Sequence, residues 1–199
     1  MYEDVIMRNM KLIGQYTYLV EVSPEYFQCV INWRNNPENN RFLNQPFKLT
    51  MELQTKWYEE KYLKDYSQGL FVMVDKAKNV PFATLGWTDY DPEKKVCILG
   101  RALVGNHEYK GSKELMEGYL LLQDYIHDEI KVNISYIHVV NENKKVISFN
   151  KRWGYRVNTG YIQYPHELVV NGMHQTEYVR TIEQYRAARE KIINILNNL

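Results

Sequence analysis

Residues 96–155, VCILGRALVGNHEYKGSKELMEGYLLLQDYIHDEIKVNISYIHVVNENKKVISFNKRWGY, constrain the fold of this chain more than any other stretch. An apolar run of strand length is followed by Gly105-Asn106, and then the period of the apolar residues changes. Leu115, Met116, Tyr119, Leu120, Leu122 and Ile126 recur at helical spacing over about five turns. Residues 134–140 then read as a strand and 144–152 as a short helix closed by Gly154. In this order HEYKGSKEL becomes a glycine-containing turn at a helix start. There backbone amides and the helix dipole favour an anion, and Lys110 and Lys113 add charge. A diphosphate fits such a turn, although one glycine before a helix is also an ordinary turn.

The rest of the chain predicts one domain over residues 1–199 with a mostly antiparallel sheet. Residues 11–22 alternate as a half-buried strand and end at Ser23-Pro24, a helix-start signal. The following helix carries Tyr26, Phe27, Val30, Ile31 and Trp33 and breaks in the polar loop WRNNPENN. Thr50 and Glu52 open a second helix with Leu53 and Trp57 on one face. Three apolar runs between Gly69 and Val104, divided by Lys-Asn and Asp-Pro turn signals, predict a meander of three strands. Near the end, HELVVNGMHQTEYVRTI is a hairpin around Asn171-Gly172. Residues 181–199 form a charged helix whose Ile182, Tyr185, Ile192 and Leu196 pack on the domain or on a second subunit, so a homodimer is one expectation.

With 25 Lys+Arg against 24 Asp+Glu, the charge balance indicates neither a nucleic-acid footprint nor a membrane-binding surface. Cys29 and Cys97 have no metal-ligand spacing and read as free thiols, which fits a soluble cytoplasmic protein without a metal. No signal peptide or spanning segment is expected. Seventeen tyrosines suit sugars or nucleobases, and equally a half-exposed surface.

The segments INWRNNPE, TMELQTKWYEEKY, FATLGWTDYD, ILGRALVGNHEYKGSKELMEGYLLL and VVNENKKVISFNKRWGY, in this order, resemble the GNAT superfamily of acyl-CoA-dependent N-acyltransferases. The closest flavour is the branch containing ribosomal-protein N-terminal acetyltransferases and nucleotide-amino-sugar acyltransferases. The resemblance implies an α/β fold with a mixed, mostly antiparallel sheet of about seven strands, flanked by helices and splayed between the fourth and fifth. Acetyl-CoA or another short acyl-CoA would pair its pantetheine with the backbone of Ala102, Leu103 and Val104, where an amide near Val104 polarises the thioester. Its pyrophosphate would lie on Lys110, Gly111, Ser112 and Lys113. Glu117 matches a frequent helix glutamate, and Asn143 matches the asparagine that bonds the cofactor. Lys113 replaces the second glycine of the family loop, and Asn150 stands where many members carry an acidic tyrosine, so it can only hydrogen-bond the sulfur.

The strand position that supplies a base in some members is His138, a group with a suitable pKa. Asp89 is the other candidate, and a water relay without a protein base is the third option. Trp33, Arg34 and Asn35 lie where the family forms its acceptor wall; Arg34 can pair with a nucleotide diphosphate, while Trp33, Trp87 or Tyr90 pack on sugar or base, or in the core. The acceptor implied is a nucleotide-linked deoxyamino sugar of bacterial surface-glycan (lipopolysaccharide) assembly. A protein N-terminus or a polyamine is the alternative, and an acyl-CoA-binding module without turnover is the third reading.

Overall fold

A computed structural model of the chain describes residues 9–160, 169–170 and 172–198. Strands β1 (Lys11–Ile13) and β2 (Thr17–Glu21) form a hairpin where the alternation predicts one strand. The turn between them closes with Gly14 N–H on Thr17 O at 2.8 Å. Its next three amides, of Gln15, Tyr16 and Thr17, donate at 2.7–2.8 Å to the carboxylate of Glu117, about a hundred residues away in sequence. Their hydrogen-bonding demand is thus met without a strand partner.

After β2 a 3-10 turn, Pro24–Tyr26, leads into α1 (Phe27–Asn35). Ser23 makes no side-chain cap there. Asn36 stops α1 and caps a one-turn helix, α2 (Pro37–Asn40), in what reads as loop. Thr50 caps α3 (Met51–Glu60) through the Leu53 amide, but Leu53 itself is exposed, and α3 buries Gln54 instead.

Strands β3 (Gly69–Asp75), β4 (Val80–Asp91) and β5 (Val96–Val104) form the predicted antiparallel meander. Ser112 caps α4 (Lys113–Asp128), which buries Leu115, Leu120, Leu122 and Ile126 at the expected spacing. The strand β6 (Ile134–Val140), helix α5 (Lys144–Arg152), short strands β7 (Arg156–Val157) and β8 (Val169–Val170), β9 (Met173–Thr181) and helix α6 (Ile182–Leu196) complete the chain. The β8–β9 hairpin turns at Gly172, whose φ is 73°, and the predicted strand residues before 169 lie outside the described residues.

All nine strands join one sheet, in the order β1-β2-β3-β4-β5-β6-β9-β7 with β8 on β9. One face packs Val22, Phe27, Val30, Ile31, Leu70, Val72 and Val74 beneath α1 and α3. The other packs Phe71, Met73, Leu85, Trp87, Cys97 and Leu99 against α4 and α6, each fully buried large side chain contributing about 1.5–3 kcal/mol. Part of the α6 stripe packs within the chain, with Tyr185 0% exposed and Ile192 5%, while Ile195 is 49% exposed.

One joint in the sheet is incomplete. Strands β5 and β6 run parallel and pair only from Val96↔Ile134 to Ile98↔Tyr136, although β5 continues to Val104 and β6 to Val140. Beyond Ile98 the two strands splay, at the joint between the fourth and fifth strands as the sequence counts them.

Candidate active site

Among the described residues the splay leaves the β6-facing edge of residues 99–104 without a strand partner, while the other edge of β5 stays paired to β4. An extended chain of amide groups can pair with such an edge. The β4–β5 register shifts between Thr84↔Leu103 and Gly86↔Gly100, which puts an extra residue into β5 at the mouth of the splay. Arg101 occupies this bulge with φ of 53°, and its carbonyl accepts from Thr84 Oγ1 at 2.8 Å. Bulges of this kind re-aim side chains and release pairing. Ala102 is exposed, and Leu103 and Val104 are half-buried.

At the far end of β5, Trp33 packs onto Gly105 so closely that a Cβ there would sit 2.0 Å from the indole. The corner between α1 and α2 is therefore pressed against the end of β5. A second tie lies beside it: His107 Nε2 is 2.7 Å from Asn39 Oδ1 and its Nδ1 is 3.4 Å from Glu38.

The turn before α4 has anion-binding geometry. Gly111 takes φ of 82°, which only glycine adopts without strain, and the space where a Cβ would stand is open. Ser112 Oγ accepts from Leu115 N–H, and Ser112 N–H donates to Tyr109 O at 3.1 Å. The amides of Gly111, Lys113 and Glu114 have no acceptor among the described residues, so they face outward at the start of a sixteen-residue helix. Lys110 is exposed beside them, whereas Lys113 Nζ lies 4.2 Å over the ring of Tyr16. Glu117 thus anchors the β1–β2 turn next to this loop. These features suit a diphosphate at the turn and a pantetheine arm along β5.

Two asparagines belong to α5, Asn143 at its cap and Asn150 within it. Asn143 Oδ1 caps α5 through Val146 N–H at 3.4 Å, leaving its Nδ2 to reach a ligand. Asn150 Nδ2 donates to Val146 O at 2.9 Å within its own helix.

Across the splay, His138 lies on β6. Paired residues share a face and side chains alternate along a strand. Cys97 and Leu99 point into the α4 core, so Ile98 and Gly100 face the side of α1 and α3, and Tyr136 and His138 face the same side. His138 Nε2 is 3.0 Å from Glu177 Oε2, directly opposite on β9, with side chains 6% and 0% exposed. Glu177 Oε1 accepts from Asn158 Nδ2 at 2.7 Å. A carboxylate only accepts, so Nε2 carries the proton and Nδ1 is the basic nitrogen. A Cβ on Gly100 would meet nothing within 4 Å, so there is room along this face of β5.

Other sequence candidates sit elsewhere. Trp87 is 1% exposed, packed on Phe71 and Tyr125, and Tyr90 is 6% exposed with its hydroxyl on Ile130 O at 2.9 Å; both belong to the core, not to an acceptor wall. Asn35 is taken up structurally, its amide bracketing both backbone groups of Leu49 at 2.8 Å. Asp89 is exposed in a second bulge, with φ of 53°. Arg34 is half-buried, its Nε donating to Gln45 Oε1 at 2.7 Å, and burial lowers its pKa from the ordinary arginine value. A cleft of about 400 Å³ between α1 and strands β2 to β4, lined by Tyr18, Tyr26 and Asn32 among others, contains none of these residues.

Sequence reading missed Glu177 and Arg101. Glu177 meets His138 only through the β6–β9 register, and Arg101 is the single charge in the run VCILGRALV, a signal that was legible.

A sheet of this order, opened between two parallel strands beside a capped glycine turn, is the GNAT fold, and solved structures bear this out across nearly the whole chain. Apo FdhC, a nucleotide-linked sugar GNAT, superposes with a TM-score of 0.73 at 18% identity, over 94% of this chain and 99% of its own. A GCN5-related N-acetyltransferase from Brucella melitensis gives 0.75 at 16% identity, over 96% and 86%. Spermidine N-acetyltransferase from Vibrio cholerae, solved with CoA and spermine, gives 0.73 at 14% identity, over 87% and 99%. No family model matches the sequence, and no curated protein is similar enough to count as a match.

Proposed function

We propose that the chain is an acyl-CoA-dependent N-acyltransferase that passes an acetyl or short hydroxyacyl group to the amino group of a nucleotide-linked deoxyamino sugar, in assembly of a bacterial surface glycan. The observation that carries this reading is the pairing of two walls at the splay: an unpartnered β5 edge on one side and the His138–Glu177 pair on the other. In this reading the β5 backbone at 102–104 holds the pantetheine, and the outward amides of Gly111, Lys113 and Glu114, with Lys110, hold the pyrophosphate. Asn143 Nδ2 bonds the cofactor.

His138 Nδ1 takes a proton from the acceptor ammonium, and Glu177 stabilises the resulting imidazolium. The free amine attacks the thioester carbonyl, the C–N bond forms, the nitrogen loses its second proton to solvent, and the C–S bond breaks with the thiolate as leaving group. The amide near Val104 stabilises the oxyanion. Asn150 keeps to its helix and supplies no acid, so the thiolate takes its proton from solvent.

A polyamine acceptor is the second reading, since the spermidine enzyme superposes as well as FdhC does. It calls for carboxylates around the amine, and Asp89 is the exposed one at hand. Thiol release from acetyl-CoA, followed with UDP- and dTDP-amino sugars, peptides and spermidine, separates the readings. Release with an amino-sugar nucleotide supports the proposal; release with spermidine or peptides alone defeats it.

A further inference from the structure

We infer that Arg101 and Arg34 form an anion clamp that takes the phosphate groups of a nucleoside diphosphate in the acceptor. This deepens the reading above and rests on it for what the clamp serves.

A guanidinium carries five N–H donors, and a buried one is normally met by a carboxylate or by several acceptors. Neither arginine has that. Among the described residues Arg101 bonds one side-chain acceptor, Gln68 Oε1 through Nη2, and lies 5.4 Å over the ring of Trp57. Its Nη1 is buried with no partner. Arg34 bonds Gln45 Oε1 through Nε, and among the described residues neither side chain makes an ion pair with a carboxylate. Both Gln45 and Gln68 are themselves buried, so each guanidinium is held by a neutral amide that fixes its direction without cancelling its charge.

Arg34 lies near enough for its charge to oppose that of Arg101. Burial pushes Arg101 below the ordinary arginine range and Arg34 adds to that push, while Tyr62, Asp65 and Asp89 pull the other way. Among the described residues Arg101 Nη1 still lacks an acceptor, and a phosphate oxygen would supply one. The backbone is arranged for it: the bulge at Arg101, with φ of 53°, turns the side chain to the α1 and α3 face, where His138 also lies. The residue before it, Gly100, opens onto empty space on that face. A phosphate entering beside Gly100 meets the unpartnered Nη1, and an Arg–phosphate fork is the pairing such geometry favours. A polyamine meets two positive charges there instead.

The test titrates UDP and dTDP into the full chain by calorimetry, with and without saturating CoA, and spermidine as the control. Both nucleotides should bind the CoA-saturated protein, more weakly as salt rises. Arg101→Gln should weaken that binding about 10- to 100-fold while leaving CoA affinity unchanged, and Arg101→Lys should recover part of it. Arg34→Gln should act in the same direction, and covers the case in which Arg101→Gln folds poorly. Nucleotide binding that is absent, or indifferent to both substitutions, overturns the clamp, as does spermidine binding at the same affinity. CoA affinity is scored separately: its absence defeats the acyl-transfer reading, whereas intact CoA binding without nucleotide binding defeats the clamp alone.

Discussion

Two buried arginine regions of the sheet are handled in opposite ways. Arg180 on β9 is 0% exposed and lies between the rings of Tyr155 and Tyr185, at 4.5 and 4.6 Å. Its two terminal nitrogens reach Trp153 O, Gln123, His127 Nε2 and Ser135 Oγ. Arg101 has one glutamine and one ring. Burial lowers the pKa of both, so desolvation alone does not tell them apart; the supply of acceptors does. A cation whose four acceptors come from α4, β6 and the end of α5 is part of the fold. One left with a single amide beside an opening is set for a ligand.

The largest expected effect would break this contrast from the structural side. Arg180→Met leaves Gln123 and the Trp153 carbonyl buried without their donor, and should cost roughly 3–5 kcal/mol of stability by urea denaturation. Arg101→Gln should stay within about 1 kcal/mol of the wild type. Equal losses at the two sites would erase the distinction.

Acid provides the next effect. Burial, then the charge of Arg180, pushes His127 down to about 4, while its Nδ1 donates to Val132 O at 2.7 Å. Unfolded, the same group titrates near pH 6.5, so between those values the unfolded chain binds the extra proton. The stabilisation is complete above about pH 6.5 and is lost as pH falls toward 4, by roughly 3 kcal/mol. In Arg180→Met the loss should shrink, and a pH profile of denaturation unchanged in that variant would contradict the coupling.

Smaller effects test the cofactor side. Gly111→Val forces a β-branched residue to φ of 82°; about 1–3 kcal/mol of strain should appear in denaturation, together with loss of CoA binding. Unchanged CoA affinity would reduce the turn to a structural one. Glu117→Gln keeps the shape but weakens three charge-assisted bonds to the β1–β2 turn, so about 1–2 kcal/mol should be lost. The hydrogen exchange of Gln15, Tyr16 and Thr17 should quicken while that of β6 stays slow.

Much of the fold was legible because it is local. The meander, the long α4 with its Ser112 cap, and the hairpin signal at Asn171-Gly172 rest on period and turn chemistry within a few residues. The misreadings came from distant partners. Residues 11–22 read as one strand because nothing nearby reveals that Glu117 will satisfy the turn amides. For Trp87 and Tyr90 the sequence left both ligand wall and core open, and the bulge at Asp89, which alternation cannot register, puts Tyr90 on the buried face with Trp87. Asn35 and Asn150 carry the right chemistry but spend it on Leu49 and Val146. His138 was singled out by its match to a family position on the strand, while its pairing with Glu177 needed the register of β9, fixed only when the sheet forms.

The central claim is tested most directly by thiol release from acetyl-CoA at neutral pH with a UDP- or dTDP-amino sugar, comparing wild type with His138→Asn. The account predicts release that depends on the nucleotide sugar and falls about tenfold to ten-thousandfold in the variant, the span of general acid–base catalysis. Turnover of spermidine in its place, or an identical pH–rate profile in wild type and His138→Asn, would contradict it.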